Sequence, residues 1–225
     1  MLRVSLMHHT PLFVAAYAGH TCTNTEATAS YHNEDVLKFL KSLISAGHES
    51  VLEHIAYTFN IEGFSRACLQ ELARHRLLSL SVKSTRWALK SSFEEQSIKA
   101  ETVLATAYKD LPKSSIEGEQ KQQAIKGLGC ALANLLDALE DGIKAELPND
   151  FLKYFLPECF TTDLVITLNA RELRHIMKLR SQPNVLREFR MLSRAFYHCL
   201  PFEHSFLFDD VTDVNKQFQE ENTDE

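Results

Sequence analysis

Tyr57-Thr58-Phe59-Asn60-Ile61-Glu62-Gly63-Phe64-Ser65-Arg66-Ala67-Cys68-Leu69-Gln70-Glu71-Leu72-Ala73-Arg74-His75-Arg76 changes its hydrophobic period part-way along. Tyr57, Phe59 and Ile61 alternate with Thr58, Asn60 and Glu62, the two-residue repeat of a half-buried strand. After Gly63, Ser65 has the hydroxyl of a helix cap, and Cys68, Leu69, Leu72 and Ala73 then fall on one helical stripe. A strand thus runs directly into a short helix, and the triplet Arg74-His75-Arg76 lands in its last turn or just beyond. The residues that follow, with Ser79, Ser81, Ser84, Thr85 and Arg86, read as a hydroxyl-rich loop.

The same strand-to-helix unit recurs downstream. Thr161 to Leu168 is rich in β-formers, and Asn169 with Glu172 repeats a cap-plus-acid signature ahead of Leu173, Ile176 and Met177. Cations again follow: Arg171, Arg174, His175, Lys178 and Arg180. Upstream, Asn33 caps a helix carrying Val36, Leu37, Phe39, Leu40, Leu43 and Ile44 until Gly47, and Ser50 with Glu53 forms a capping box for a short helix. Further helices are expected from about Glu94 to Tyr108, from about Glu117 to Glu146, from Pro148 towards Pro157, and from Asn184 to Cys199. With no repeat and no linker, the pattern predicts a single α+β domain over 1–225, a sheet flanked by long helices, with an acidic tail at 217–225.

Charge marks a site. The chain carries a formal charge of −6, yet between Phe64 and Lys90 the cations Arg66, Arg74, Arg76, Lys83, Arg86 and Lys90 face the single carboxylate Glu71. Cations at a helix C-terminus need no ligand, because the helix dipole favours them by about 0.3–1 kcal/mol each. Charge-assisted hydrogen bonds to a phosphate contribute more, roughly 1.5–3 kcal/mol each, and the clustered hydroxyls supply further donors. Net acidity argues against a nucleic-acid backbone as partner, so a small phosphorylated ligand is expected.

These residues resemble the flavin-dependent thymidylate synthases, whose signature is Arg-His-Arg, seven residues, then Ser, with Arg two positions on; Arg74-His75-Arg76, Ser84 and Arg86 match it. His48-Glu49-Ser50-Val51-Leu52-Glu53-His54, Thr58 to Gly63, Leu168-Asn169-Ala170-Arg171-Glu172-Leu173 and Leu179-Arg180-Ser181 also look like that family, in the same order. The resemblance implies methylation of dUMP to dTMP with methylenetetrahydrofolate as carbon donor, FAD as cofactor, NADPH or NADH as reductant and tetrahydrofolate as product. It also implies a homotetramer with shared active sites. By the same resemblance His48, Ser50, Arg74, His75, Arg76, Asn169, Arg171 and His175 are expected to contact the flavin. Glu71, Arg74, Ser84, Thr85, Arg86, Lys153 and Arg180 are expected around dUMP, with Arg180 the catalytic side chain at the uracil carbonyl. Lys153 stands where the family often has Arg, and Ser81-Val82 replaces its common Asn-Glu, so no carboxylate role is available at Val82.

Other classes fare less well. Cys22, Cys68, Cys130, Cys159 and Cys199 are scattered and form no C-x-x-C pair, so reduced thiols and a cytoplasmic location are expected. Leu12 to Ala18 is apolar but follows Pro11 and lacks the basic flank of a signal peptide, and no stretch is long enough to span a bilayer. Pro157-Glu158-Cys159 resembles the nucleophile region of the cysteine-dependent thymidylate synthases, but no base accompanies it. His48-Glu49 lacks the second histidine of a zinc helix, so no metal is expected, and Gly127-Leu128-Gly129 lacks the third glycine of a dinucleotide fingerprint. A non-catalytic nucleotide- or RNA-binding protein is the alternative.

Overall fold

A computed structural model describes residues 2–23, 33–96 and 118–211. Its centre is a four-stranded antiparallel sheet in the order β1-β2-β4-β3, with β1 at Arg3–His9, β2 at Ala56–Ser65, β3 at Leu78–Val82 and β4 at Thr161–Asn169. The alternation in β2 does what its period predicts. Tyr57, Phe59 and Ile61 are buried and stand opposite Leu168, Ile166 and Leu164 of β4, whereas Thr58, Asn60 and Glu62 are only partly covered. One sheet face therefore supplies the core.

Onto that face pack α1 (Leu12–Thr23) and α2 (Asn33–Ser45). After α3 (Arg66–Leu72), α4 (Thr85–Gln96), α5 (Glu119–Lys144) and α6 (Asn149–Leu152), the chain adds α7 (Ala170–Arg180) and α8 (Arg187–Cys199) to the same core. Leu40, Leu173, Ile176, Phe189 and Phe196 bury their side chains there. A second apolar cluster joins Leu89 of α4, Leu136, Leu139 and Ile143 of α5, Leu152 of α6 and Phe160.

Two caps anticipated from the sequence set the strand-to-helix turns. Ser65 Oγ accepts from Cys68 N at 3.2 Å to open α3, and Asn169 Oδ1 accepts from Glu172 N at 2.9 Å to open α7. Because β2 and β4 are antiparallel, with Ser65 opposite Thr161 and Ala56 opposite Asn169, the two helices start from opposite ends of the ladder. Gly63 adopts φ +70°, a left-handed conformation suited to glycine, and the ladder shifts register between Ile61 and Phe64.

Three expectations are corrected, and one strand is added. The predicted hydroxyl loop contains a strand: Leu78, Leu80 and Val82 pair with Leu168, Ile166 and Leu164, which places Ser79 and Ser81 on an edge strand. The Ser50 capping box does not form; Glu49–His54 is a 3₁₀ helix without a side-chain cap, and Glu53 instead binds Arg171. The C-terminal helix starts at Arg187, not Asn184. The N-terminal strand β1 was not anticipated. Most of the Glu94–Tyr108 helix and the whole acidic tail lie outside the described residues.

Candidate active site

The cap and first turns of α7 form one wall of a cavity of about 590 Å³. Arg171, His175 and Lys178 recur at helical spacing, so they share one exposed stripe that lines it, beside Asn169. Glu49 and Glu53 of the 3₁₀ helix, Leu77 and Asp210 also line it. Arg171 is held by Glu53, whose Oε1 accepts from Nη1 at 2.5 Å, in a pair about half exposed on both sides. Arg174 is buried: its guanidinium binds Glu49 at 2.9 Å and Asp210 at 2.6 Å, and it donates to the Leu207 carbonyl, joining the C-terminal segment to the cavity wall. The Asp210 carboxyl is held below its usual range by its hydrogen bond to Arg174.

Behind that wall runs a second set of contacts. Glu172, another cavity residue, reaches His75 with Oε1 3.2 Å from Nδ1, and both side chains are buried. Arg180, in the last turn of α7, donates from Nε to His75 Nε2 at 3.1 Å, pairs with the Glu71 carboxylate and lies 4.9 Å from the Phe189 ring centroid. Burial chiefly, and then the Arg180 guanidinium, push the His75 pKa below its ordinary value, against an opposing pull from Glu172. Three blocks that are distant in sequence, around residues 71–75, 172–180 and 189, thus meet inside one chain.

Arg86 and Lys153 meet elsewhere, on the second cluster. Both approach Asp150 Oδ1, at 2.8 and 3.4 Å, and Asn149 donates to the Arg86 carbonyl at 2.8 Å. The hydrogen bond from Arg86 holds the Asp150 carboxyl below its usual range. Ser84 and Thr85 stand at the start of α4 and line a narrow crease with Lys83 and Thr162. A helix N-terminus with two hydroxyls and two nearby cations suits a phosphate.

Not every expected residue joins these groups. Arg74, Arg76, His48 and Ser50 are exposed, and none lines the cavity; His48 serves as N-cap of the 3₁₀ helix. Glu71 pairs with Arg180. Sequence reasoning missed Glu49, Glu53, Asp150 and Asp210 as holders of site cations, and Glu172 as the partner of His75. Only Glu172 carried a visible signal, as the acid of the cap signature. Cys159 is half-buried against the second cluster, and burial raises its thiol pKa, the opposite of what a nucleophile needs. Among the described residues no group of three or more His, Cys, Asp or Glu side chains could hold a metal ion.

The family model described as thymidylate synthase complementing protein matches residues 5–201. A flavin-dependent thymidylate synthase of Wolinella succinogenes is 39% identical over 208 residues, 92% of this chain and 97% of the relative. The chain belongs to the flavin-dependent thymidylate synthase family. Members from Campylobacter jejuni are 39% identical over 210 residues, covering 92% of this chain and 96% of their own length. The crystal structure of thymidylate synthase X from Helicobacter pylori, with FAD and dUMP, superimposes with a TM-score of 0.72 at 30% identity, covering 95% of this chain and 100% of that one. Family membership makes the chain an enzyme, and the α+β reading of the sequence agrees with the helices and antiparallel sheet of its fold. Among the described residues no helix is long and apolar enough to cross a membrane.

Proposed function

We propose that the chain catalyses reductive methylation of dUMP to dTMP, taking its carbon from methylenetetrahydrofolate and its reducing equivalents from NADPH or NADH through FAD, and releasing tetrahydrofolate. The observation that carries this reading is the link Glu172–His75–Arg180, which joins a cofactor-sized cavity to a half-buried guanidinium. Support also comes from the Helicobacter pylori relative, whose structure holds FAD and dUMP. A homotetramer in the cytoplasm completes the proposal, again by family resemblance.

The donor set fits a flavin dinucleotide. Its volume lies within the range of ordinary cofactor pockets, and Arg171, His175, Lys178 and the Asn169 amide offer donors to a diphosphate. Exposed Arg74 and Arg76, with His48 and Ser50, stand as further contacts, and His75 joins them through its backbone carbonyl, both its ring nitrogens and its N–H being engaged. FAD, once reduced, supplies the hydride that turns the transferred methylene into a methyl group.

The protein's share is binding and polarisation. Ser84, Thr85, Arg86 and Lys153 bind the phosphate of dUMP, while Arg180 directs its remaining N–H groups at the uracil carbonyl. A preoriented guanidinium there stabilises the electron-rich form of the ring, with negative charge on the carbonyl oxygen, from which C5 attacks the electrophilic carbon without any covalent bond to the enzyme. The proton on C5 then passes to water, and its bonding electrons restore the C5–C6 double bond.

The deciding experiment is an aerobic absorbance spectrum of the purified protein, then NADPH oxidation and dTMP formation with and without dUMP. A flavin spectrum and dUMP-dependent dTMP are expected; a colourless protein, or one that forms no dTMP, defeats the proposal. Glu53 competes with the cofactor for Arg171. Glu53→Gln is accordingly expected to tighten FAD binding roughly two- to five-fold, the scale of an exposed ion pair, as measured by flavin fluorescence titration. Cys159→Ala is expected to keep wild-type turnover; its loss in a folded, flavin-loaded variant would point to a cysteine nucleophile.

A further inference from the structure

We infer that Glu172 is a positioning residue for Arg180, acting through His75: it fixes the imidazole in the one tautomer able to receive the Arg180 Nε–H. The inference rests on the role of Arg180 proposed above, but its geometry stands on its own. An arginine Nε can only donate, so His75 Nε2, 3.1 Å away, must present a lone pair. The ring proton then sits on Nδ1, and its acceptor is Glu172 Oε1 at 3.2 Å. No other neutral arrangement satisfies both contacts.

The sequence hides this role. An acid three residues after a cap usually folds back on the cap backbone, completing a capping box. Here Asn169 still caps α7 through the Glu172 N–H, while the Glu172 carboxylate turns inward to His75. The cap uses the backbone of residue 172 and the site uses its side chain, so a substitution there separates the two functions. The site's geometry is closed on its other sides by Glu71, which takes a second N–H of Arg180, and by the Phe189 ring beneath the guanidinium.

Protonation undoes the arrangement. An imidazolium has no lone pair at Nε2 and stands beside a like charge, so Arg180 loses its acceptor as His75 gains a proton. The groups facing His75 are Glu172, His175 and Arg180 from α7, with Glu71 reaching it only by way of Arg180; α8 contributes the apolar Phe189 ring. Arg180 and His175 lower the His75 pKa, and Glu172 raises it. Removing the charge at residue 172 must therefore carry protonation to lower pH.

The test uses the flavin-loaded full chain. Nitrogen NMR of histidine-labelled protein is expected to show His75 as the Nδ1–H tautomer, and Glu172→Ala is expected to abolish that preference. Glu172→Ala should lower kcat by about 10²-fold, the scale of a misoriented catalytic group, with the flavin spectrum retained. Glu172→Gln, whose amide oxygen still accepts from Nδ1–H, should recover most of that loss and move the acid limb of the kcat–pH profile downward. An Nε2–H tautomer in the wild type, a glutamine variant whose acid limb does not move, or a fall in kcat without a tautomer change would each overturn the inference. Should the wild type make no dTMP, the proposed function fails, while the tautomer measurement still decides the positioning role. If the alanine variant does not fold, the wild-type spectra and the glutamine variant decide it.

Discussion

Replacing Arg180 by alanine is expected to leave a folded, yellow protein whose dTMP formation falls by roughly 10²–10³-fold, the usual cost of removing one donor aimed at developing charge. The fold should survive because Glu71, the carboxylate left behind, is partly exposed and can be rehydrated, and because the Phe189 ring stays in the core. The flavin should stay because its proposed contacts Asn169, Arg171 and His175 are untouched. Arg180→Lys tests charge against shape. Lysine keeps the cation but has neither the Nε–H that His75 receives nor a planar fork, so it should restore only part of the rate. Steady-state dTMP production beside the flavin spectrum reads both outcomes, and near-full turnover in the alanine variant would remove Arg180 from the mechanism.

The second large effect concerns the sheet. Phe59→Ala is expected to cost about 3–5 kcal/mol, much of the typical stability of a domain. Phe59 is fully buried, faces Ile166 across the ladder, and packs 4.7 Å from the Phe196 ring and 6.0 Å from Tyr57. Its neighbour Asn60 points to the other face and donates to Glu62 at 3.1 Å, so Asn60→Ala should cost no more than about 1 kcal/mol. Urea unfolding of the two variants measures the contrast. Similar midpoints would mean that the sheet does not segregate its faces as described.

What was legible in the sequence was local. The alternation at Tyr57, Phe59 and Ile61 and the caps at Ser65 and Asn169 depend on near neighbours, and all three stand in the structure. Leu78, Leu80 and Val82 carry the same alternation as β2, but the intervening serines suggest ligand chemistry and hide the strand. β1 was obscure for another reason: it is an edge strand with a register shift between Leu6 and His8, and few of its side chains are well covered. The false capping box at Ser50 shows where local reasoning ends. Glu53 had a better partner in Arg171, 118 positions away, which no neighbouring residue announces. The site divides similarly: Arg-His-Arg and Asn-Ala-Arg were visible as motifs, but which carboxylate holds which cation depends on the fold.

The ladder between β3 and β4 also acts as a gauge. His75 lies just before β3 and Glu172 just after β4, and Leu78 pairs with Leu168, so the hydrogen-bonded register sets how far apart their side chains come to rest. Sliding the strands by two residues would keep every apolar side chain on its proper face, yet displace the histidine from its carboxylate by about 7 Å. The irregular step at Ile61–Phe64 lies in the neighbouring β2–β4 ladder, at the end away from Asn169. Length changes are therefore best tolerated near Gly63, whereas two residues inserted between His75 and Leu78 would spare the core and carry the imidazole away from its carboxylate.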